Sequence, residues 1–262
     1  MWMVFDVETV PDADAGRRRL NLDPNVPDSE VRSLMIQHRI EETGGSSFMK
    51  PAFHQVVAIA AALIDDNGSL RRLTALGDLH ASEKELVSEF FRVIADARPR
   101  LVGWNTGGFD LPTLILRGMR HGVTARAFYQ VGEPYHGYRK RFDEESHIDL
   151  MDVLSGYGAT ARLSLDEMAS VLKVPGKLEV TGNDVLSLHE EGKIKDIRAY
   201  CELDVLTTSL IFALYATHRG WFDEERQGTF YHSVRQFLDQ HADPHWQKFL
   251  SSWTHLNRGA YE

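Results

Sequence analysis

The stretch Trp2-Met3-Val4-Phe5-Asp6-Val7-Glu8-Thr9 begins as a strand and ends on two acids. Residues 2–7 are rich in β-formers, which predicts a short strand there. Side chains two apart on a strand share a face, so Asp6 and Glu8 project together near its C-terminal end. Carboxylates in an apolar setting are expensive unless something compensates them. Two further acids stand in similar settings downstream: Asp110 after Asn105-Thr106-Gly107-Gly108-Phe109, and Asp204 four residues after Tyr200. Two such charges about 4 Å apart, at an effective dielectric of 20, cost roughly 4 kcal/mol. A fold that gathers all four acids therefore demands a cation. A divalent-metal site serving phosphoryl chemistry is the economical explanation.

The elements around these acids follow from hydrophobic spacing. Residues 11–54 are a long excursion, with Pro11, Pro24, Pro27, Pro51 and a Gly44-Gly45-Ser46-Ser47 break, holding one helix from Pro27-Asp28-Ser29 to about Glu42. Val56–Ile64 is too apolar to have a wet face and reads as a central strand. Asp66-Asn67-Gly68 supplies hairpin chemistry into a strand around Leu70–Leu76. Leu86, Phe90, Phe91 and Ile94 predict a helix over 83–97, capped by Ser82. Leu101–Asn105 is a further strand, and Gly107-Gly108 turns it into a helix near Asp110–Met119. Asp110 thus sits at a strand-to-helix junction, where α/β folds carry chemistry. His147-Ile148-Asp149-Leu150 is another extended piece. Arg198–Ala216 reads as a helix that puts Tyr200 and Asp204 on one face.

Composition narrows the class. The chain has 262 residues with 43% hydrophobic content, enough for one substantial core. Cys201 is the only cysteine, which excludes an intrachain disulfide and a Cys-based metal site. None of the twelve histidines falls in a zinc-binding spacing. The N-terminus does not resemble a signal peptide, and the longest uninterrupted apolar run, Val56 to Ile64, is nine residues. A soluble, cytoplasmic protein with no membrane partner is expected.

A net charge of −9 argues against a protein that wraps duplex by bulk charge. The window from Arg117 to Arg141 runs the other way, with six basic residues, the single acid Glu133, and Tyr129, Tyr135 and Tyr138 interleaved. Cations and flat rings together suit a single strand; a solvated loop is the equally open alternative.

Phe5-Asp6-x-Glu8-Thr9, Asn105-x₃-Phe109-Asp110 and Tyr200-x₃-Asp204 resemble, in order, the three motifs of the DEDD 3′–5′ exonuclease superfamily in its tyrosine-bearing (DEDDy) branch. The likeness is to stand-alone proteins similar to the proofreading domain of family B DNA polymerases, and Phe109-Asp110-Leu111-Pro112 and His147–Asp152 add to it. The resemblance implies a ribonuclease H-like α/β fold, a mixed sheet of about five strands flanked by helices. It implies an exonuclease domain over residues 1–216, and residues 217–262, with Trp246 and Trp253 two helical turns apart, read as a helical extension packed on it. It implies two divalent ions, Mg²⁺ or Mn²⁺. Asp6 would bridge them, Glu8 and Asp204 would complete the shell of one, and Asp110 would serve the other. Tyr200 would orient the attacking water. Thr9 would meet the terminal 3′-hydroxyl, Phe109 and Trp104 would wall the terminal base, and Asn105 would lie near the strand's backbone.

The expected activity is release of nucleoside 5′-monophosphates from the 3′ end of single-stranded DNA or RNA. The alternative is a non-catalytic nucleic-acid-binding or adaptor module on the same fold. Two residues stay open on sequence grounds, and a third does not. Asp149 orients the site or caps a helix, His54 faces the cleft or supports the core, and Cys201 reads as a buried helix residue.

Overall fold

Five segments pair into one sheet: β1 (Trp2–Pro11), β2 (His54–Ile64), β3 (Leu70–Ala75), β4 (Arg100–Gly103) and β5 (His147–Asp149). Their order in this computed structural model, which describes residues 1–130, 136–176 and 182–257, is β3-β2-β1-β4-β5. β2 is antiparallel to both β1 and β3, whereas β1, β4 and β5 run parallel. The antiparallel half needs only tight turns. Between β2 and β3, Gly68 takes a φ of +84° and donates to the Asp65 carbonyl at 3.0 Å. A Cβ at Gly68 would also stand 2.5 Å from the Arg226 carbonyl oxygen, so the turn is tied to a distant helix. The parallel half needs crossovers. α3 (Glu83–Ala97) precedes β4, and α4 (Asp110–His121) and α5 (Arg126–Tyr129) precede β5. This is the mixed five-stranded, ribonuclease H-like α/β arrangement expected from the sequence.

The pleat of β1 divides the core. Met3, Phe5 and Val7 face α3, among Phe90, Phe91 and Ile94. Trp2 and Val4 face the other layer, built on α9 (Ile194–His218). By the two-residue period Asp6 and Glu8 continue the Trp2–Val4 face, towards α9. Their partners across the ladder are Ala60 and Ala58, and these small side chains let α9 close on the sheet.

α9 is apolar around its circumference because it is covered twice. The sheet covers one side, and α10 (Glu224–Gln240) and α11 (Pro244–Asn257) pack on it from outside. By length and mean hydropathy α9 would also pass for a membrane span, but 67% of its most apolar window is buried within the fold. Trp246 and Trp253, 3% and 5% exposed, are part of the same core as α9. The remaining helices are α1 (Ala13–Leu20) and α2 (Asp28–Thr43) in the excursion, and α6 (Leu150–Leu154), α7 (Leu165–Leu172) and α8 (Val185–Glu190) before α9.

Several boundaries differ from expectation. β1 continues to Pro11 because β2 pairs with it along its whole length, across an irregularity at Glu8/Thr9. α1 was not foreseen; its charged sequence lacks an apolar stripe, and it forms on the Asp12 side chain, which accepts from the Ala15 amide at 3.1 Å. β4 ends at Gly103 because Asn105 turns the chain with a φ of +60°. α9 begins at Ile194, one turn earlier than the apolar spacing indicates.

Candidate active site

β1 brings Asp6 and Glu8 to the layer where α9 presents Tyr200, Cys201 and Asp204. One ligand atom each from Asp6, Glu8 and Cys201 lie within 4.8 Å of one another. The Cys201 thiol points at Asp6, 3.4 Å from its carbonyl oxygen and 3.5 Å from Oδ2. Asp110 arrives from the third direction, in the first turn of α4, 3% exposed.

The acids act on one another. Burial pushes the Asp6 carboxyl up to about 6, and hydrogen bonds from Cys201 and Glu8 oppose this. Burial also raises Glu8 well above the usual carboxylate range, reinforced by the charges of Asp6, Asp204 and Asp110. Asp110 is raised first by burial and then by Asp6. Burial likewise raises the Tyr200 phenol, with added contributions from Asp204, Glu8 and Asp6, and it donates to Asp204. The fold therefore gathers the four acids and Tyr200 around one point.

That point suits a divalent cation. The donors are hard carboxylate oxygens. Asp110 Oδ1 is buried with no hydrogen-bond partner, a costly state for a carboxylate unless a cation faces it. Cys201 adds no thiolate, because burial holds its thiol well above the ordinary range. It backs Asp6 as a donor, a contact between helix and strand that no sequence pattern announced.

Residues 46–253 match a family model described as a predicted 3′–5′ exonuclease related to the exonuclease domain of PolB. The chain belongs to this family. It is an enzyme of the 3′–5′ exonuclease class, a hydrolase whose substrate is nucleic acid and whose family implies dependence on divalent metal. The match includes Asp110, Tyr200, Asp204 and the helices beyond α9 as far as Trp253, while Asp6 and Glu8 precede it. No curated protein sequence matches the exonuclease. A solved family B DNA polymerase from the hyperthermophilic archaeon Pyrobaculum calidifontis is similar over 82% of this chain, with a TM-score of 0.51 and 18% identity. The exonuclease spans 24% of that polymerase, and the likeness is one of fold.

The turn that delivers Asp110 is held by Asp149. Its Oδ1 accepts from the Asn105 amide at 2.9 Å and its Oδ2 from the Gly107 amide at 2.9 Å. Oδ1 also caps α6, accepting from Met151 and Asp152 at 3.2 and 3.3 Å. Asp149 thus both orients the site's loop and caps a helix. A Cβ at Gly108 would lie 2.5 Å from Asn105 Oδ1, so any larger residue there would displace the Asn105 side chain. Below the turn, Thr106 Oγ1 meets His147 Nε2 at 2.8 Å.

The expected substrate residues fall in different places. Thr9 and Phe109, the chain neighbours of Glu8 and Asp110, are joined by His54: Thr9 Oγ1 is 2.7 Å from His54 Nδ1, and the His54 and Phe109 rings are 4.8 Å apart. Asn105 is half-buried in the turn. Trp104 is packed in the α9-side core with its indole nitrogen unpartnered, so its ring is not placed to wall a base. Phe48, not singled out from the sequence, is 57% exposed and has its ring 5.2 Å from that of Phe109.

The basic window divides. Arg117 is buried, bonded to Asp12 and Glu83 at 2.5 Å each, and Arg120 pairs with Asp14. Tyr138 is buried and donates to the Pro99 carbonyl at 2.7 Å. Arg126, Arg139 and Lys140 are exposed, and the Arg139 guanidinium lies 5.2 Å from the centre of the exposed Tyr129 ring. Tyr135 and Glu133 lie outside the described residues.

Proposed function

We propose that this exonuclease hydrolyses the terminal phosphodiester of single-stranded DNA or RNA from the 3′ end, releasing nucleoside 5′-monophosphates with two divalent ions, Mg²⁺ or Mn²⁺. The observation that carries this reading is the convergence of β1, α4 and α9 on one point, with Asp110 Oδ1 left unpartnered there. Asp6 would hold both ions, Glu8 and Asp204 one of them, and Asp110 the other. Bound there, the ions supply positive charge that acidifies a water and offsets charge developing on the phosphate.

The chain's own groups account for the rest. Tyr200 remains a phenol at neutral pH, so it positions water by a hydrogen bond and does not take its proton. Asp149 keeps the Asn105–Gly107 turn, and hence Asp110, in place. Phe109 and Phe48 offer faces for the terminal base, and Thr9 a contact for the sugar. Cavities of about 680 Å³ beside Tyr200 and Asp204 and about 660 Å³ beside Asn105 and Asp149 give room for a strand. Arg139, Arg141 and Arg162 line the second. A net charge of −9 favours a narrow single strand over a duplex.

The test uses 5′-labelled DNA and RNA oligonucleotides, single-stranded and duplex, with Mg²⁺ or Mn²⁺. The expected result is stepwise shortening from the 3′ end, faster on single strands, and slowed at least about a hundredfold by Asp6→Ala. Equal cleavage by Asp6→Ala would overturn the metal assignment. Binding without metal-dependent cleavage would favour the adaptor reading.

A further inference from the structure

The cavity of about 660 Å³ beside the Asn105 turn contains two arginines gripped by one carboxylate. Arg141 donates to Asp152 from Nε at 2.8 Å and from Nη2 at 3.2 Å, and Arg162 donates from Nη2 at 2.6 Å. Asp152 is buried, and the bonds from Arg141 and then Arg162 hold its carboxyl below the usual range. Two guanidiniums on one carboxylate leave one positive charge. Both arginine side chains are about half exposed, and both line the cavity. Asp152 occupies only one edge of each. Arg141 Nη1 and the Nε and Nη1 of Arg162 make no hydrogen bond among the described residues, so they can serve an outside acceptor.

This fork stands beside the turn that delivers Asp110. Asp149 is the cap of α6 and Asp152 its third residue, so the two carboxylates sit within one helical turn. Asp149 holds the Asn105 and Gly107 amides, and its charge is felt at Asp110. Asn105, Gly107 and Gly108 line the same cavity as the fork. Flat faces adjoin the cations. Phe142 is 71% exposed, with its ring centre 5.7 Å from the Arg141 guanidinium, and Arg139 lies over the exposed Tyr129 ring. Guanidiniums next to exposed rings suit alternating phosphates and bases.

We propose that Arg141 and Arg162 anchor an internal backbone phosphate of the single strand, with an adjoining base against Phe142. An enzyme that cuts from the 3′ end has the remaining strand only on the 5′ side of the bond it cuts, so this anchor holds that side. A phosphodiester bears one negative charge and accepts from two donors at once, which matches the fork. Asp152 is a positioning residue: it fixes both guanidiniums before a strand arrives and so lowers the cost of ordering them. The anchor makes the enzyme favour strands long enough to reach from the acids to the fork. The inference rests on the exonuclease reading above.

The experiment compares kcat/KM on single strands with the same 3′ end, from a dinucleotide to about a dodecamer. Wild type should gain about fiftyfold once the strand reaches the fork, chiefly through KM. Arg141→Gln and Arg162→Gln should each cut that gain about tenfold, flatten the salt dependence on the long strand, and leave the dinucleotide rate nearly unchanged. A purely structural fork would lower the rate on every length alike, which would overturn the inference. Thermal unfolding checks each variant, because Arg141→Gln leaves Asp152 short of a partner. Phe142→Ser leaves both ion pairs in place and should cut the gain about fivefold if the arginine variants do not fold. A gain that follows a 5′-phosphate at every length, and not length itself, would show a site for terminal phosphate and overturn the assignment. Cleavage by wild type that does not rise with length overturns this inference alone. No metal-dependent cleavage of any strand overturns the exonuclease reading, and the inference falls with it.

Discussion

Burial pushes the Asp6 carboxyl up to about 6 from its ordinary 3.8, and it raises its neighbours Glu8 and Asp110 well above the usual carboxylate range. Without metal, an acid shifted upward contributes stability that is fully present below its unfolded value and lost as pH rises through the folded one. For Asp6 that window runs from 3.8 to about 6. His54 and His147, both held down to about 4, work oppositely: their contribution is present above 6.5 and lost as pH falls through about 4. The Asp6 effect is therefore read by difference. In metal-free buffer at pH 7.5, Asp6→Asn should be more stable than wild type by about 2 kcal/mol, a figure discounted for the half-buried position of the carboxylate. The gap should close as pH falls below about 6, as followed by urea unfolding. Added Mn²⁺ should raise the Tm of wild type and have little effect on the variant. Tyr200 makes a separable prediction. Tyr200→Phe should cut kcat by about a hundredfold while calorimetry shows metal affinity nearly unchanged, since the phenol positions water and is not a ligand.

The turn from β4 into α4 shows how an element's precision comes from outside it. Asn105 takes a left-handed conformation that asparagine tolerates better than most residues. The sequence therefore points to a turn at Asn105-Thr106-Gly107-Gly108, and the structure has one. The group that holds it, Asp149, is 44 residues away from Asn105. Its sequence context, before a short helix, is equally that of an ordinary cap, and the carboxylate performs both tasks because β5 lies next to β4. Removing it leaves four amides without their acceptor. Asp149→Ala should cost about 3 kcal/mol in chemical denaturation and lower kcat through displacement of Asp110. Asp149→Asn, which keeps one oxygen, should lose less of both.

Across the molecule, the acid centre depends on a helix that is buried on both sides. α9 carries Tyr200, Cys201 and Asp204, and α10 and α11 shield its outer face with Phe230, Trp246 and Phe249. The seven-residue spacing of Trp246 and Trp253 signalled a packing stripe, and both rings are in the core. Trp246→Ala should therefore destabilise the whole fold by about 3–5 kcal/mol. Unfolding should remain a single transition when followed by circular dichroism and by loss of nuclease activity. An independent first step confined to α10 and α11 would contradict the shared core. The basic window is the counterexample to local reading. Arg117 looked like a phosphate contact among its neighbours, yet it is buried between Asp12 and Glu83 and ties the excursion to α3 and α4.

The order of the five strands and of α2, α3, α4 and α9, the shared face of Asp6 and Glu8, and the pairing of Tyr200 with Asp204 were legible in the chain because each depends on a local period of two or of 3.6 residues. Three motifs in order were enough to identify the exonuclease class. Whether a given polar residue serves the site or the scaffold could not be read in the same way. Asp149, His54, Cys201 and Arg117 each have partners dozens of residues away, and only the packing of the sheet against α3, α4 and α9 brings those partners within reach. A hydrogen bond or ion pair acts over about 3 Å whatever the separation along the chain. Local spacing therefore determined which residues share an element's face, and the assembled layers decided what each of those residues touches.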